Sequence, residues 1–119
     1  MLDLAPFQNL HLRGGFTLVE VQLTAEPLLD PMGRTATAQT IIRGKCLHIL
    51  LSADLTDRDL SISLYHEVLE AATVAMDHPP EAVLEFNEGA FEQAAQAAHG
   101  KLGCAAPETL NQMLVEFGF

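Results

Sequence analysis

One long helical pattern, ended by two prolines, determines the order of elements in this chain. Apolar residues recur at helical spacing through residues 55–77, and Thr56 or Asp57 supplies an N-cap signal at the start of the pattern. The sequence HPP at 78–80 ends it, because proline has no amide hydrogen to donate. Two further helical patterns follow at 85–103 and 106–119. The second half of the chain is therefore predicted to form three α-helices.

The first half shows strand patterns instead. Residues 16–23 alternate between apolar and polar side chains, which predicts a half-buried strand. The side expected to be buried comprises Thr17, Val19, Val21 and Leu23. Residues 34–44 and 45–53 predict two more strands, which are close enough to pair as a hairpin. The prolines and glycine of residues 25–33 predict a loop.

The size and composition of the chain are those of one globular domain. It has 119 residues, of which 49% are hydrophobic and 18% are charged. We expect a single α+β domain over residues 1–119. A small antiparallel or mixed β-sheet of about three strands would occupy residues 1–54, and three α-helices with the functional site would occupy residues 55–119.

The charge and the cysteines limit the partners and the compartment. The net charge is −10, from 16 acidic and 6 basic residues, so we expect no binding to nucleic acid or to a membrane. The N-terminal segment lacks the basic region of a secretion signal, and no stretch approaches the roughly 18 apolar residues of a membrane span. Cys46 and Cys104 stand far apart, which suggests reduced, buried cysteines of a cytoplasmic protein.

The first predicted helix contains HEVLE at 66–70, one substitution away from the zinc-protease signature H-E-x-x-H. Residues four apart lie on one helix face, so His66 and Glu70 can converge on one ion. Glu67 projects about 100° around the helix, where its carboxylate can accept a proton from a water at that ion. The same spacing also fits the solvent-facing stripe of an ordinary amphipathic helix. HEVLE alone does not decide between these interpretations.

A second motif follows in FNEGAFEQ, where Glu88 lies 22 positions after His66 (88 − 66) and Glu92 lies four residues further on. Together the two motifs resemble the gluzincins, the zinc-protease superfamily that includes thermolysin. The chain is most similar to minimal single-domain members and to small phage-type proteins with an H-E-x-x-E-A motif. The resemblance covers at most residues 35–100. In this superfamily a sheet with an exposed edge strand precedes the active helix, and the next helix supplies the third zinc ligand.

The resemblance implies a zincin-like fold, a bound zinc ion and hydrolysis of a peptide bond by an activated water. Carried over to this chain, it makes His66 and Glu88 metal ligands and Glu67 the general base. Glu92 becomes the carboxylate that orients the ligating histidine. His99, on the same polar stripe of the second helix, is the alternative ligand to Glu88. Without a metal, Glu88 and Glu92 are simply the acidic residues that any helix N-terminus favours.

Glu70 stands where the superfamily has its second histidine, so the metal ligands of this chain become His66, Glu70 and Glu88. Two imidazoles and one carboxylate leave a zinc site with a charge of +1, whereas one imidazole and two carboxylates leave it neutral. A neutral site lowers the pKa of its water less, so catalysis should be weaker. Harder ions such as Mn²⁺ or Fe²⁺ also become better competitors.

Three functions remain open from the sequence. The first is a small metal-dependent peptidase that acts on a peptide or protein. The second is a catalytically inactive zincin-like scaffold that serves as a protein-interaction module. The third is a plain acidic α+β domain whose polar stripes face water. Of the other histidines, we expect His48 to be a hydrogen-bonded core residue and His78 to be an oxyanion donor or a cation at a helix C-terminus.

Overall fold

The structure, a computed structural model, describes residues 2–119 and confirms the α+β class. Strands occupy the first half of the chain and three helices the second. The strands are β1 (Leu10–His11), β2 (Thr17–Thr24), β3 (Leu28–Leu29), β4 (Thr35–Ala36), β5 (Ala38–Arg43) and β6 (Cys46–Ser52). The helices are α1 (Asp57–Ala75), α2 (Glu88–Leu102) and α3 (Pro107–Glu116).

The main sheet has four strands in the order β1-β2-β6-β5, with β2 and β6 parallel and the other neighbours antiparallel. The predicted hairpin is confirmed, since β5 and β6 join through a tight turn at Gly44, whose φ of 62° suits glycine. The prediction of about three strands omitted β1. The predicted loop at 25–33 contains β3, which pairs with β4 in a separate two-stranded sheet. The predicted strand at 34–44 is therefore divided between two sheets.

A bulge in β2 changes which of its residues face the core. The register of β2 against β6 shifts between Leu18 and Glu20, and both Leu18 and Val21 are buried. Strict alternation would have placed these two side chains on opposite faces. Val19, predicted to share the buried face with Val21, is only partly buried. The extra residue of a bulge reverses the faces on one side of it, so the predicted alternation holds only beyond the bulge.

Helix α1 is buried around most of its circumference. Its N-cap is Thr56, whose Oγ1 accepts a hydrogen bond from the Asp59 amide at 3.2 Å. The apolar residues predicted to face the core are buried at Leu60, Leu64, Val68 and Ala71. Ser61 and His66 are buried as well. His66, on the predicted polar stripe, is therefore enclosed by other elements, which disagrees with a stripe that faces open water along its whole length.

The structure bears on two sequence-based expectations, one about membrane-spanning helices and one about the cysteines. No helix within residues 2–119 is long and apolar enough to cross a membrane. Cys46 and Cys104 are both unpaired but exposed, so the expectation of buried cysteines is wrong. Cys46 begins β6 on the sheet face opposite the buried Leu47, and Cys104 lies in the turn between α2 and α3.

Candidate metal centre

Helices α1 and α2 bring the two sequence motifs together as an antiparallel pair. His66, in the middle of α1, meets Glu92 near the start of α2, whereas Ser61, one turn earlier, meets His99 near its end. Asn87 is the N-cap of α2, and its Oδ1 accepts a hydrogen bond from the Ala90 amide at 2.9 Å. The asparagine of the second motif therefore fixes the point where the helix and its carboxylates begin.

The imidazole of His66 is held from one side and faces carboxylates on the other. Nδ1 donates a hydrogen bond to Glu92 Oε1 at 2.9 Å, because an ionised carboxylate can only accept. Nε2 lies 3.2 Å from Glu88 Oε2 and 3.4 Å from Glu70 Oε2. Glu67 Oε2 is further away, at 3.9 Å. Glu92 thus orients the ring, while Nε2 points to the place where the other three carboxylates meet.

Two neighbours of these carboxylates were not predicted. Thr40 of β5 donates a hydrogen bond from Oγ1 to Glu67 Oε1 at 2.8 Å. Gln96 donates from Nε2 to Glu92 Oε2 at 2.9 Å. The i,i+4 spacing of Glu92 and Gln96 on one helix could have revealed the second contact. No local signal indicates the first, since Thr40 comes from a strand 27 residues earlier.

The cluster holds more negative charge than its one imidazole can balance. Burial alone would lower the pKa of His66, but hydrogen bonds to Glu70 and Glu92 and the charge of Glu67 raise it to about 9. The pKa of Glu88 is raised to about 7, chiefly because its carboxyl shares a hydrogen bond with Glu70 and secondarily by burial. Without another cation, the cluster therefore holds a proton on His66 Nε2 at neutral pH.

The two glutamates of HEVLE have opposite protonation tendencies. Burial raises the pKa of Glu67, although the Thr40 hydrogen bond and the charge of His66 oppose the increase. The hydrogen bond from His66 lowers the pKa of Glu70, with burial acting against it. Environments that push the pKa values of two carboxyls apart are typical of sites that divide charge stabilisation and proton transfer between them. In this cluster the environment therefore favours the charged form of Glu70 and the neutral form of Glu67.

The donor atoms fit a divalent ion. Ligand atoms about 2.05 Å from a tetrahedral zinc ion lie roughly 3.3 Å from one another. The separations from His66 Nε2 to Glu88 and Glu70 match this value, and the separation to Glu67 exceeds it. Among the described residues, the group whose ligand atoms all lie within 4.8 Å of one another is His66, Glu67 and Glu70, and it does not include the exposed Glu88. One nitrogen with carboxylate oxygens is a donor set that zinc accepts and that also suits Mn²⁺ and Fe²⁺.

The cluster lines a cleft of about 990 Å³. The walls are helix α1, the start of α2, strand β5 and the β3–β4 hairpin. Exposed apolar side chains line one part of the cleft at Leu29 and Val74. Its volume is at the upper end of the range of about 300–1,000 Å³ for small-molecule sites, so the cleft has room for more than a single small group.

Strand β5 presents a free edge to this cleft. The Ser52 amide donates to the Thr37 carbonyl at 2.9 Å, which sets the phase of the antiparallel ladder between β5 and β6. Because bonded pairs alternate along such a ladder, the main-chain groups of Ala38, Thr40 and Ile42 point away from β6. Within residues 2–119, β5 has no second strand partner in its sheet.

The remaining histidines lie apart from the cluster. His99, the alternative ligand, has its Nδ1 2.8 Å from the buried Ser61 Oγ, away from the carboxylates around His66 Nε2. His48 is partly exposed beside Glu20, at 3.4 Å, so the expectation of a core histidine is wrong. His78 is exposed and does not line the cleft.

No protein-family model matches the chain, and comparison with curated proteins and with solved structures found no significant match. The resemblance to gluzincins therefore rests on the two sequence motifs alone.

Proposed function

We propose that this protein is a divalent-metal-binding, metallopeptidase-like domain that hydrolyses a peptide bond. His66 Nε2, Glu70 and Glu88 are its metal ligands, and Glu67 is its general base. The observation that carries the proposal is the convergence of these three carboxylates on Nε2 of one oriented imidazole. Zinc is the ion we propose, with Mn²⁺ or Fe²⁺ as competitors.

The protein's own groups divide the work of binding and proton transfer. Glu92 holds Nδ1 of His66, so that Nε2 keeps its direction towards Glu70 and Glu88. When bound, the ion supplies Lewis acidity, which polarises a carbonyl and acidifies a water. Glu67 accepts the proton of the attacking water at Oε2, while Oε1 stays on Thr40. Its raised pKa suits a proton acceptor that works near neutral pH.

The substrate we propose is an extended segment of a peptide or protein. Such a segment would add to the free edge of β5, where main-chain groups bind without regard to sequence and pockets select side chains. The cleft beside this edge would hold the scissile bond above the cluster. The unpaired cysteines are in keeping with a reducing, cytoplasmic location, which belongs to the same proposal.

A specific feature favours a second candidate function. Glu70 in place of a histidine makes the site neutral, which weakens water activation and leaves peptide binding intact. A catalytically inactive interaction module would therefore keep the edge strand and the cleft. Replacement of Glu67 would then leave partner binding unchanged.

The first experiment measures metal content by plasma mass spectrometry on protein purified without a histidine tag. We expect close to one zinc, manganese or iron ion per chain in the wild type, and loss of the ion in His66→Ala and in Glu88→Ala. His99→Ala is the matched control, because it removes a histidine of the same helix pair outside the cluster. A wild-type protein that stays metal-free after incubation with zinc would refute the proposal.

The second experiment separates the peptidase from the interaction module. Peptide libraries would be screened with the metal-loaded wild type and with Glu67→Gln, which keeps the size of the side chain and its contact to Thr40. We expect turnover to fall about 100- to 10,000-fold, the usual contribution of a general base, with the metal retained. Equal turnover in the two proteins would show that Glu67 is not the base.

A further inference from the structure

We propose that Thr40 is a positioning residue that holds Glu67 and aligns a peptide on β5 with that carboxylate. The inference rests on the proposed function and concerns a residue outside both sequence motifs. Its starting point is the hydrogen bond that Thr40 Oγ1 donates to Glu67 Oε1 at 2.8 Å. It is the one hydrogen bond that Glu67 accepts from a side chain within the described part of the chain.

The contact determines how the Glu67 carboxylate is oriented. The side chain is only 15% exposed, and it lies in a cluster with three other carboxylates. With Oε1 fixed on Thr40, the other oxygen points towards His66 Nε2 at 3.9 Å, beyond the 3.2 and 3.4 Å of Glu88 and Glu70. Without the hydrogen bond from Thr40, the Glu67 carboxylate could rotate and turn both of its oxygens towards His66 Nε2 and the metal position. The hydrogen bond therefore keeps Glu67 beside the metal position and available for a proton.

Thr40 also lies on the free edge of the sheet. The phase of the β5–β6 ladder directs its amide and carbonyl away from β6, towards the side where an extended peptide would pair. Its side chain, on the face of β5 towards α1, reaches Glu67. One residue thus bonds the peptide through its main chain and the base through its hydroxyl. Because a single residue would join the two, it would limit how far a bound peptide bond can move relative to Glu67, and catalysis benefits from reacting groups held in place in this way.

The test compares Thr40→Val, which keeps the shape but loses the hydroxyl, with Thr40→Ser, which keeps the hydroxyl. Loss of a hydrogen bond to an ionised group predicts that kcat falls about 10- to 100-fold in Thr40→Val. KM should change less than about threefold, because the main-chain edge remains. Thr40→Ser should recover most of kcat. Thr37→Val is the control, since Thr37 lines the same cleft without a hydrogen bond to Glu67.

A second readout needs neither substrate nor turnover. Carbon-13 NMR of protein labelled at the glutamate δ-carbon would follow Glu67, whose resonance is identified by its absence in Glu67→Gln. We expect this resonance to move in Thr40→Val and to stay near the wild-type position in Thr40→Ser and Thr37→Val. The metal content should be the same in the wild type, Thr40→Val, Thr40→Ser and Thr37→Val.

The two readouts distinguish failure of this inference from failure of the proposed function. If Thr40→Val keeps both the wild-type kcat and the wild-type Glu67 resonance, Thr40 is only a strand residue and the inference is overturned. A resonance shift with an unchanged kcat would also overturn it, because the contact would then have no catalytic effect. If the wild type hydrolyses no peptide, the proposed peptidase function fails, and with it the alignment role assigned to Thr40.

Discussion

Two polar clusters lie along the same helix pair, and they differ in the number of acidic side chains that they contain. Ser61 Oγ accepts a hydrogen bond from the Ala105 amide at 2.7 Å and lies 2.8 Å from His99 Nδ1. This cluster contains no carboxylate, and it ties α1 to the end of α2 and to the turn before α3. One to two turns away, His66 alone faces four glutamates.

The difference separates a cluster that stabilises the fold from one that is suited to chemistry. A cluster without acidic side chains, whose buried hydroxyl is hydrogen-bonded, holds helices together and needs no further partner. An excess of carboxylates, two of them mostly buried at Glu67 and Glu70, raises the free energy of the folded state until protons or a metal ion neutralise them. The experiments below test whether this assignment is correct, from the largest expected effect to the smallest.

The largest effect expected is stabilisation by a divalent ion. At a free concentration about 1,000 times the dissociation constant, Mn²⁺ or Zn²⁺ should raise the free energy of unfolding by about 4 kcal/mol. His66→Ala should show no such increase, because it lacks the nitrogen ligand. Urea denaturation in chelator and in excess ion measures both values. Mn²⁺ is the cleaner probe, since zinc also binds cysteine and histidine side chains of the unfolded chain.

The cluster of Ser61 and His99 provides the control for that experiment. Ser61→Ala leaves the Ala105 amide without its partner and should cost about 1–3 kcal/mol of stability in chelator. The increase caused by the ion should nevertheless be the same as in the wild type. Loss of the increase in Ser61→Ala, or its survival in His66→Ala, would contradict the division between the two clusters.

The second effect expected is a loss of stability of the metal-free protein as the pH rises. The folded-state pKa of His66, about 9, lies above its unfolded value of about 6.5. A group with a raised folded pKa contributes stability that is complete below the unfolded pKa and disappears as the pH rises through the folded pKa. The difference is on the order of 3 kcal/mol, and a side chain only 11% exposed is little screened by solvent. Glu88 acts in the same direction at lower pH, because its pKa is raised to about 7.

Unfolding free energies measured in chelator between pH 6 and pH 9.5 test this sign. The matched variants are His66→Gln, in which the decline above pH 6.5 should largely disappear, and His99→Gln, in which it should persist. Stability that rises over this range in the wild type would mean that the carboxylates do not hold a proton on His66.

The sequence predicted those parts of the fold and of the candidate site that depend on local spacing. The helices and the Thr56 cap follow from periodicity and capping, which act within one or two turns. The geometry of His66 and Glu70 follows in the same way from an i,i+4 pair. The meeting of His66 with Glu92 was expected only from the resemblance.

The features that the sequence did not predict depend on contacts between distant segments. The bulge in β2 and the separation of β4 from β5 result from pairing along the whole sheet, which no window of residues encodes. Thr40 meets Glu67 only because β5 lies against α1. The exposure of Cys46 depends on which sheet face the helices cover. In each case local composition was compatible with more than one placement.

The smallest effect expected concerns the identity of the ion. Glu70→His restores the second imidazole and raises the charge of a zinc site from zero to +1. Because imidazole is a softer donor than carboxylate, the affinity for zinc relative to manganese should rise about tenfold. Competition against a chelating dye measures the ratio, and Glu70→Gln controls for loss of the negative charge alone. If the ratio is the same in Glu70→His and in the wild type, Glu70 does not contact the ion. The ligand beside His66 and Glu88 would then be Glu67, the remaining carboxylate near Nε2.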